Sequence, residues 1–410
     1  MDEFVMEKLS FLSLEWNLLG LGLCLADVVL DVHVVLGFYQ EEAYACMGVL
    51  IFLLLLSSVL LNMFSYLWYS YRPIEQQEET SIFPYINRYL KNQCLIKTLH
   101  VLQLGIYLRT RKAAVLEISV RNRKTTKPLE GNIVNHLNND LSILKVIEAF
   151  TENAPQLTLM MCVMLLRGDP EIVTCLKTAA ALSAIAFSVL MYHRSLCSSL
   201  PNESKEDWRS SLVYFLWNLL LIGPRLGALA LFASVEPCYT AAHFLVLWPV
   251  LVLWAWRQDT DFMDSQCGEW LYRATVGVIW YFSWFDASPT RGSTRNKRII
   301  YHSLMSVHTA VLLTMWFFWK EEPFRLGPVS APLLIVITSL YILGIIVRIV
   351  YYKKLHVELR TKDQILSVGS SAPSEPEESQ FSLHAASDND IEELKGHQKR
   401  MKRMVDNFFS

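Results

Sequence analysis

Several things that a soluble protein or a membrane enzyme would need are scarce or missing in this chain. Charged residues make up 19% of its 410 residues, below the roughly 25% usual for soluble domains. No Walker-type GxxxxGK[ST] loop occurs, which argues against an ATP-driven pump. GxSxG, HExxH and any clustered metal ligands are also lacking, so the sequence gives no reason to expect an enzyme or a bound cofactor. Its 8 cysteines form no CxxC pair and fall mostly in apolar stretches, where they read as small hydrophobes and neither a disulfide framework nor a zinc site. The first ten residues carry three acids and one lysine, the reverse of the basic start of a cleaved signal peptide, so the first apolar segment is expected to stay as an anchor. With a formal net charge of −2, no nucleic-acid signature is present.

What the chain has in abundance is apolar sequence. Hydrophobic residues make up 52% and the mean hydropathy is +0.27. Ten apolar segments can be counted, at about 12–37, 44–70, 94–108, 141–166, 172–192, 210–235, 239–256, 270–285, 299–319 and 328–352. Most approach or exceed the ~20 residues that a helix needs to cross about 30 Å of hydrocarbon. Two do not fit as crossings. The third holds Lys97, His100 and Gln103, and the eighth is short and holds Arg273.

Basic residues decide between the alternatives, because Lys and Arg accumulate on the cytoplasmic side. With eight crossings, residues 71–140, 193–209, 286–298 and the tail from 353 hold 27 Lys and Arg, whereas 38–43, 167–171, 236–238 and 320–327 hold 3. The sequence therefore predicts an all-α polytopic membrane protein with eight transmembrane helices, two re-entrant membrane hairpins, and both termini in the cytoplasm. The hairpins are the third member of each five-segment half, so residues 12–192 and 210–352 read as a pseudo-repeat. Trp16-Asn17-Leu18-Leu19 against Trp217-Asn218-Leu219-Leu220 is a faint echo of it.

After this membrane domain, residues 1–352, the composition turns to Ser, Glu and Pro. Residues 353–389 cannot bury enough apolar surface to fold alone and read as a cytoplasmic linker. Residues 390–410 regain helical spacing, with Ile391, Leu394, Met401, Met404 and Phe408 offset from a basic face. Such a helix can dock on the protein's cytoplasmic face or lie on anionic lipid. The sequon Asn202-Glu203-Ser204 falls in a cytoplasmic loop and is expected to stay unmodified.

The most informative residues are the ionisable ones inside apolar segments, since an unpaired charge in hydrocarbon costs several kcal/mol. Asp27 and Asp31 share one helical face. Lys145, Glu148, Glu152 and Gln156 form a stripe at spacings of 3, 4 and 4. Arg225 sits mid-segment after Gly223 and Pro224, and His193 and Arg194 end the fifth segment. Two outcomes are open. The acids pair with Lys145, Arg194 and Arg225 as buried bridges, or the stripe lines a polar path through the hydrocarbon. His100, His193, His243 and His302 read as loop or interface residues.

The run from Asp140 to Leu159, Tyr192-His193-Arg194, the run from Tyr214 to Pro224-Arg225, Glu269 to Arg273 with Tyr281 to Phe285, and Arg348 to Tyr352 resemble the XK-related family in order and spacing. Within that family the resemblance is to its apoptotic phospholipid scramblases. Departures are Lys145 where arginine is expected, Met191 where an acid is common, and Asp286 where asparagine is usual. The resemblance implies eight crossings, two re-entrant segments, and calcium-independent movement of phospholipids without ATP. It further implies exposure of phosphatidylserine at the plasma membrane once a caspase cuts the tail, and a single-pass immunoglobulin-type partner. Asp388 and Asp390 are the candidate cut sites, between the linker and the autoinhibitory helix. Kinase control through the tail serines is a second route. Asp27, Asp31, Glu148, Glu152, Gln156 and Arg225 are the expected lipid path, with Lys145 and Arg194 as counter-charges. A solute or ion transporter, or a scaffold that transports nothing, would show the same buried charge.

Overall fold

The computed structural model describes residues 28–70, 93–122, 128–167, 172–197, 208–258, 260–285, 294–319 and 330–355. The tail calls at Asp388, Asp390, Ile391, Leu394, Met401, Met404 and Phe408 lie outside the described residues, as do Asp27 and the sequon.

Every regular element among the described residues is helical. In chain order they are α1 (Val28–Gln40), α2 (Tyr44–Ser70), α3 (Gln93–Val101), α4 (Gly105–Asn122) and α5 (Pro128–Glu148). A π-helical turn (Ala149–Asn153) then leads into α6 (Ala154–Arg167). There follow α7 (Ile172–Cys197), α8 (Trp208–Val235), α9 (Pro237–Trp256), α10 (Gln266–Phe282), α11 (Thr294–Trp319) and α12 (Ser330–Val350), the last closing in a second π-helical turn (Tyr351–Leu355).

Six of these helices, α2, α7, α8, α9, α11 and α12, are long and apolar enough to cross a membrane. The first and fourth segments are not among the six for local reasons. Only 13 residues of α1 are described, and the fourth is interrupted by the π turn. Large apolar side chains point outward along the six, including Phe52 at 62%, Val246 at 70% and Phe318 at 75% exposure. Faces this apolar are stable against lipid and not against water.

Burial is uneven. In α8, 67% of the most apolar stretch is buried, against 11–33% in the other five. α8 packs against α6, α7, α9, α11 and α12 and is the post around which they stand. Pro224 lies inside it, so the Leu220 carbonyl has no helical donor. α12 packs tightly there. A Cβ on Gly344 would sit 3.0 Å from the Leu220 carbonyl carbon and oxygen, so glycine is what allows the two backbones to meet.

The third apolar segment is a helical hairpin, α3 and α4, whose turn is closed by Gln103 at a left-handed φ of 64°. The turn is bound to α2 by neutral side chains. Asn62 Oδ1 accepts from the Gly105 amide at 3.0 Å. Its Nδ2 donates to Gln103 Oε1 at 2.7 Å, and Ser58 donates to that oxygen at 2.9 Å. The eighth segment, α10, is packed along α9 and ends against the π turn, where Phe282 stacks on Phe150.

Candidate functional site

The π turn is where the first polar feature is built. Pro155 has no N–H to offer the Thr151 carbonyl, so an unbroken α-helix is costly there and a wider turn replaces it. Thr151 sends its own hydroxyl hydrogen to the Ile147 carbonyl at 2.8 Å. Ser57 of α2 is therefore the donor in their 3.0 Å contact, which pins the turn to α2. One extra residue in the turn cancels most of the drift that eight residues of α-helix would accumulate. Glu148 and Gln156 thus come to nearly one face.

That face meets α1. Gln156 Nε2 donates to Asp31 Oδ1 at 2.8 Å, and Glu148 is close enough to repel the same carboxylate. Lys145 neutralises Glu148 at 2.6 Å, with the lysine side chain 35% exposed. Glu152 is buried in the π turn itself. Of the residues expected together, Asp31, Lys145, Glu148 and Gln156 form one group. Arg194 does not join it: it is exposed near the end of α7 and makes no ion pair with a described acid.

The polar ladder continues past both ends of this group. Toward the start of α5, Ser195 of α7 donates to Asn139. Asp140 takes a hydrogen bond of 2.7 Å from Arg109, both side chains being essentially inaccessible. The guanidinium also donates to the Ser65 carbonyl at 3.0 Å and lies 4.6 Å from the Tyr69 ring centre. At the other end, Arg167 of α6 pairs with Glu41 beside the α1–α2 turn, both half exposed. Asp140 to Gln156 covers about 24 Å at 1.5 Å per residue, most of a hydrocarbon core.

Arg225 belongs to a second and separate arrangement. α10 ends at Phe282 inside the protein, which leaves its last carbonyls without helical partners. Arg225 supplies donors, Nε at 3.3 Å and Nη2 at 3.1 Å, to the Tyr281 carbonyl. Tyr301 donates to the Trp280 carbonyl at 2.6 Å, and the Ser283 amide to that of Ile279 at 2.8 Å. A cation at a helix C-terminus also matches the helix dipole. Arg225 Nη1 reaches Thr309 at 3.0 Å and His308 Nδ1, both on α11. Of the two outcomes left open for Arg225, pairing with an acid gives way among the described residues to carbonyl, hydroxyl and imidazole partners.

Two features escaped the sequence reading. Arg109 counted only as one of many bases, and nothing in the spacing linked it to Asp140. His243, read as a loop or interface residue, is at an interface, and its partner His308 is what the sequence did not reveal. It stands on α9, stacked on His308 at 4.6 Å between ring centres and bonded to Tyr281 Oη at 3.1 Å. His100, His193 and His302 are likewise helical.

The family model described as XK-related protein matches residues 15–357. A protein named XK-related protein 8 from Tetraodon nigroviridis is 42% identical over 361 residues, covering 86% of this chain and 87% of its own. One of that name from Gasterosteus aculeatus is 41% identical over 362 residues, with 88% and 87% covered. Another from Pan troglodytes is 34% identical over 343 residues, with 83% of each covered.

Proposed function

The chain belongs to the XK-related family of multi-pass membrane proteins, and on that footing we propose that it is a phospholipid scramblase. It moves lipids in both directions between leaflets without ATP and exposes phosphatidylserine at the surface of the plasma membrane. The observation that carries this reading is the ladder along α5, the π turn and α6. Asp31, Gln156, Glu148 and Lys145 bring charges of both signs together over about half of a hydrocarbon core, with the Lys145 side chain 35% exposed. A zwitterionic or anionic headgroup can exchange one polar contact for the next along such a stripe while its tails remain in lipid. Asp27 and Glu152 extend the path, and Arg225 joins it when released from the α10 carbonyl.

In this reading the chain crosses the membrane eight times as two related halves. α3–α4 and α10 are the re-entrant segments, and both termini are cytoplasmic. Backbone ends inside a bilayer need protein partners: Asn62 accepts from the Gly105 amide in the first place, and Arg225 and Tyr301 donate to the α10 carbonyls in the second. A helix carrying Ile391, Leu394, Met401, Met404 and Phe408 holds the protein inactive until caspase cleavage near Asp388 or Asp390, or a kinase acting on tail serines, releases it. A single-pass immunoglobulin-type subunit accompanies the chain.

Reconstitution into vesicles with labelled lipids tests this directly. The expected result is slow exchange by the full chain and fast exchange by a form ending at Asp388. Absence of exchange by both forms, with a solute crossing instead, would replace this reading by a transporter.

A further inference from the structure

The stacked histidines have no part in the lipid ladder, yet they complete a closed circuit of four helices around Arg225. A guanidinium has only donors. His308 Nδ1, which faces Arg225 Nη1, must therefore be unprotonated, and His308 carries its hydrogen on Nε2. That hydrogen points at His243 Nε2, which must accept it. His243 then holds its own hydrogen on Nδ1 and donates to Tyr281 Oη at 3.1 Å. The Tyr281 carbonyl returns the circuit to Arg225. α8, α11, α9 and α10 are thus joined through one arginine, two imidazoles and one tyrosine.

This circuit has room for neutral imidazoles only. A second proton on His308 would set N–H against the N–H of Arg225, and one on His243 would set N–H against that of His308. Either would add a cation beside Arg225. The titratable groups around it are Arg225 on α8, His243 on α9, Tyr281 on α10, His308 and Tyr301 on α11, and Tyr341 on α12. Among the described residues no acid pairs with Arg225 to absorb the added charge.

We propose that His308 and His243 are positioning residues that hold Arg225 on the end of α10, and that their protonation releases it toward the lipid path. The proposal deepens the scramblase reading and rests on it for its effect on lipid exchange, though not for the latch itself.

The full chain is reconstituted into phosphatidylcholine–phosphatidylserine vesicles with a fluorescent lipid tracer, before and after removal of the tail by limited proteolysis. Exchange rate and thermal midpoint are followed from about pH 8 down to about pH 4, through and below the ordinary histidine range. The wild type is expected to exchange lipid about tenfold faster at the acid end, with its thermal midpoint falling there. His308→Gln keeps an acceptor for Arg225 and a donor for His243 and leaves only His243 to titrate in the circuit, so both profiles become shallower. His308→Arg carries its charge at every pH and holds the acid-type rate and midpoint throughout. Flat wild-type profiles, or a His308→Gln protein that titrates as the wild type does, overturn the proposal. A thermal midpoint that titrates less steeply in His308→Gln than in the wild type, with no lipid exchange at any pH, keeps the latch and removes the scramblase reading.

Discussion

The two halves of the molecule each interrupt a helix inside the protein and use the interruption in opposite ways. In the first half, the π turn at Ala149–Asn153 brings Glu148 and Gln156 toward Asp31, and the acids there are balanced by a lysine still partly exposed. In the second half, the end of α10 is sealed by Arg225, which is 2% exposed and has every described partner within the protein. A polar group left partly open can exchange its partner for a passing one, whereas a fully enclosed one mainly fixes the structure around it. Charge inside a membrane protein is thus read from its exposure and its partners as much as from its presence.

The comparison can be broken or sharpened by substitution, beginning with the largest effect. Asp140→Ala strands Arg109 without its counter-charge in a site with essentially no solvent access, and should cost about 3–5 kcal/mol. Thermal unfolding in detergent measures it, and most of the loss should return in an Arg109→Met, Asp140→Leu protein. Arg225→Ala removes both donors from the Tyr281 carbonyl and should cost about 1–3 kcal/mol. Arg225→Lys should recover only part of that, since an ammonium lacks the fork. Glu148→Gln is the contrasting change: unfolding should move by less than about 1 kcal/mol while vesicle lipid exchange falls by about tenfold. If Arg225→Ala unfolds as the wild type does, or Glu148→Gln destabilises as much as Arg225→Ala, the division between the halves fails. Gly344→Ala should cost about 1–3 kcal/mol by forcing α12 away from Leu220. Smallest of all, Glu41→Gln should shift stability by no more than about 0.5 kcal/mol, because the Arg167 pair is half exposed and screened.

The all-helical, membrane-spanning character was legible in the sequence, because segment length responds to the bilayer more than to any one contact. Lys97, His100 and Gln103 marked the third segment as unusual, and the structure has two helices there joined by a turn at Gln103. The stripe from Lys145 to Gln156 was legible as a set of residues but not in its register, since spacing alone assumes an unbroken helix and Pro155 widens one turn. Arg225 was recognisable as exceptional. Its partners were not, because a carbonyl at the end of a helix looks like any other residue in the sequence. Arg109 with Asp140, and His243 with His308, depend on contacts 31 and 65 residues apart, which no local pattern encodes.

The central position of α8 has a consequence for how this sequence can drift. Positions on α9 such as Leu245 and Val246, 65% and 70% exposed, face acyl chains that do not distinguish one aliphatic side chain from another. Substitutions there among Leu, Ile, Val and Phe should pass nearly unnoticed by selection. Within α8, Leu226, Ala228, Leu229 and Ala230 are essentially inaccessible, and an added or lost methylene must be accommodated by several neighbouring helices at once. Adjacent stretches of one chain should therefore change at two different evolutionary rates, separated by the single residue between Val235 and Pro237.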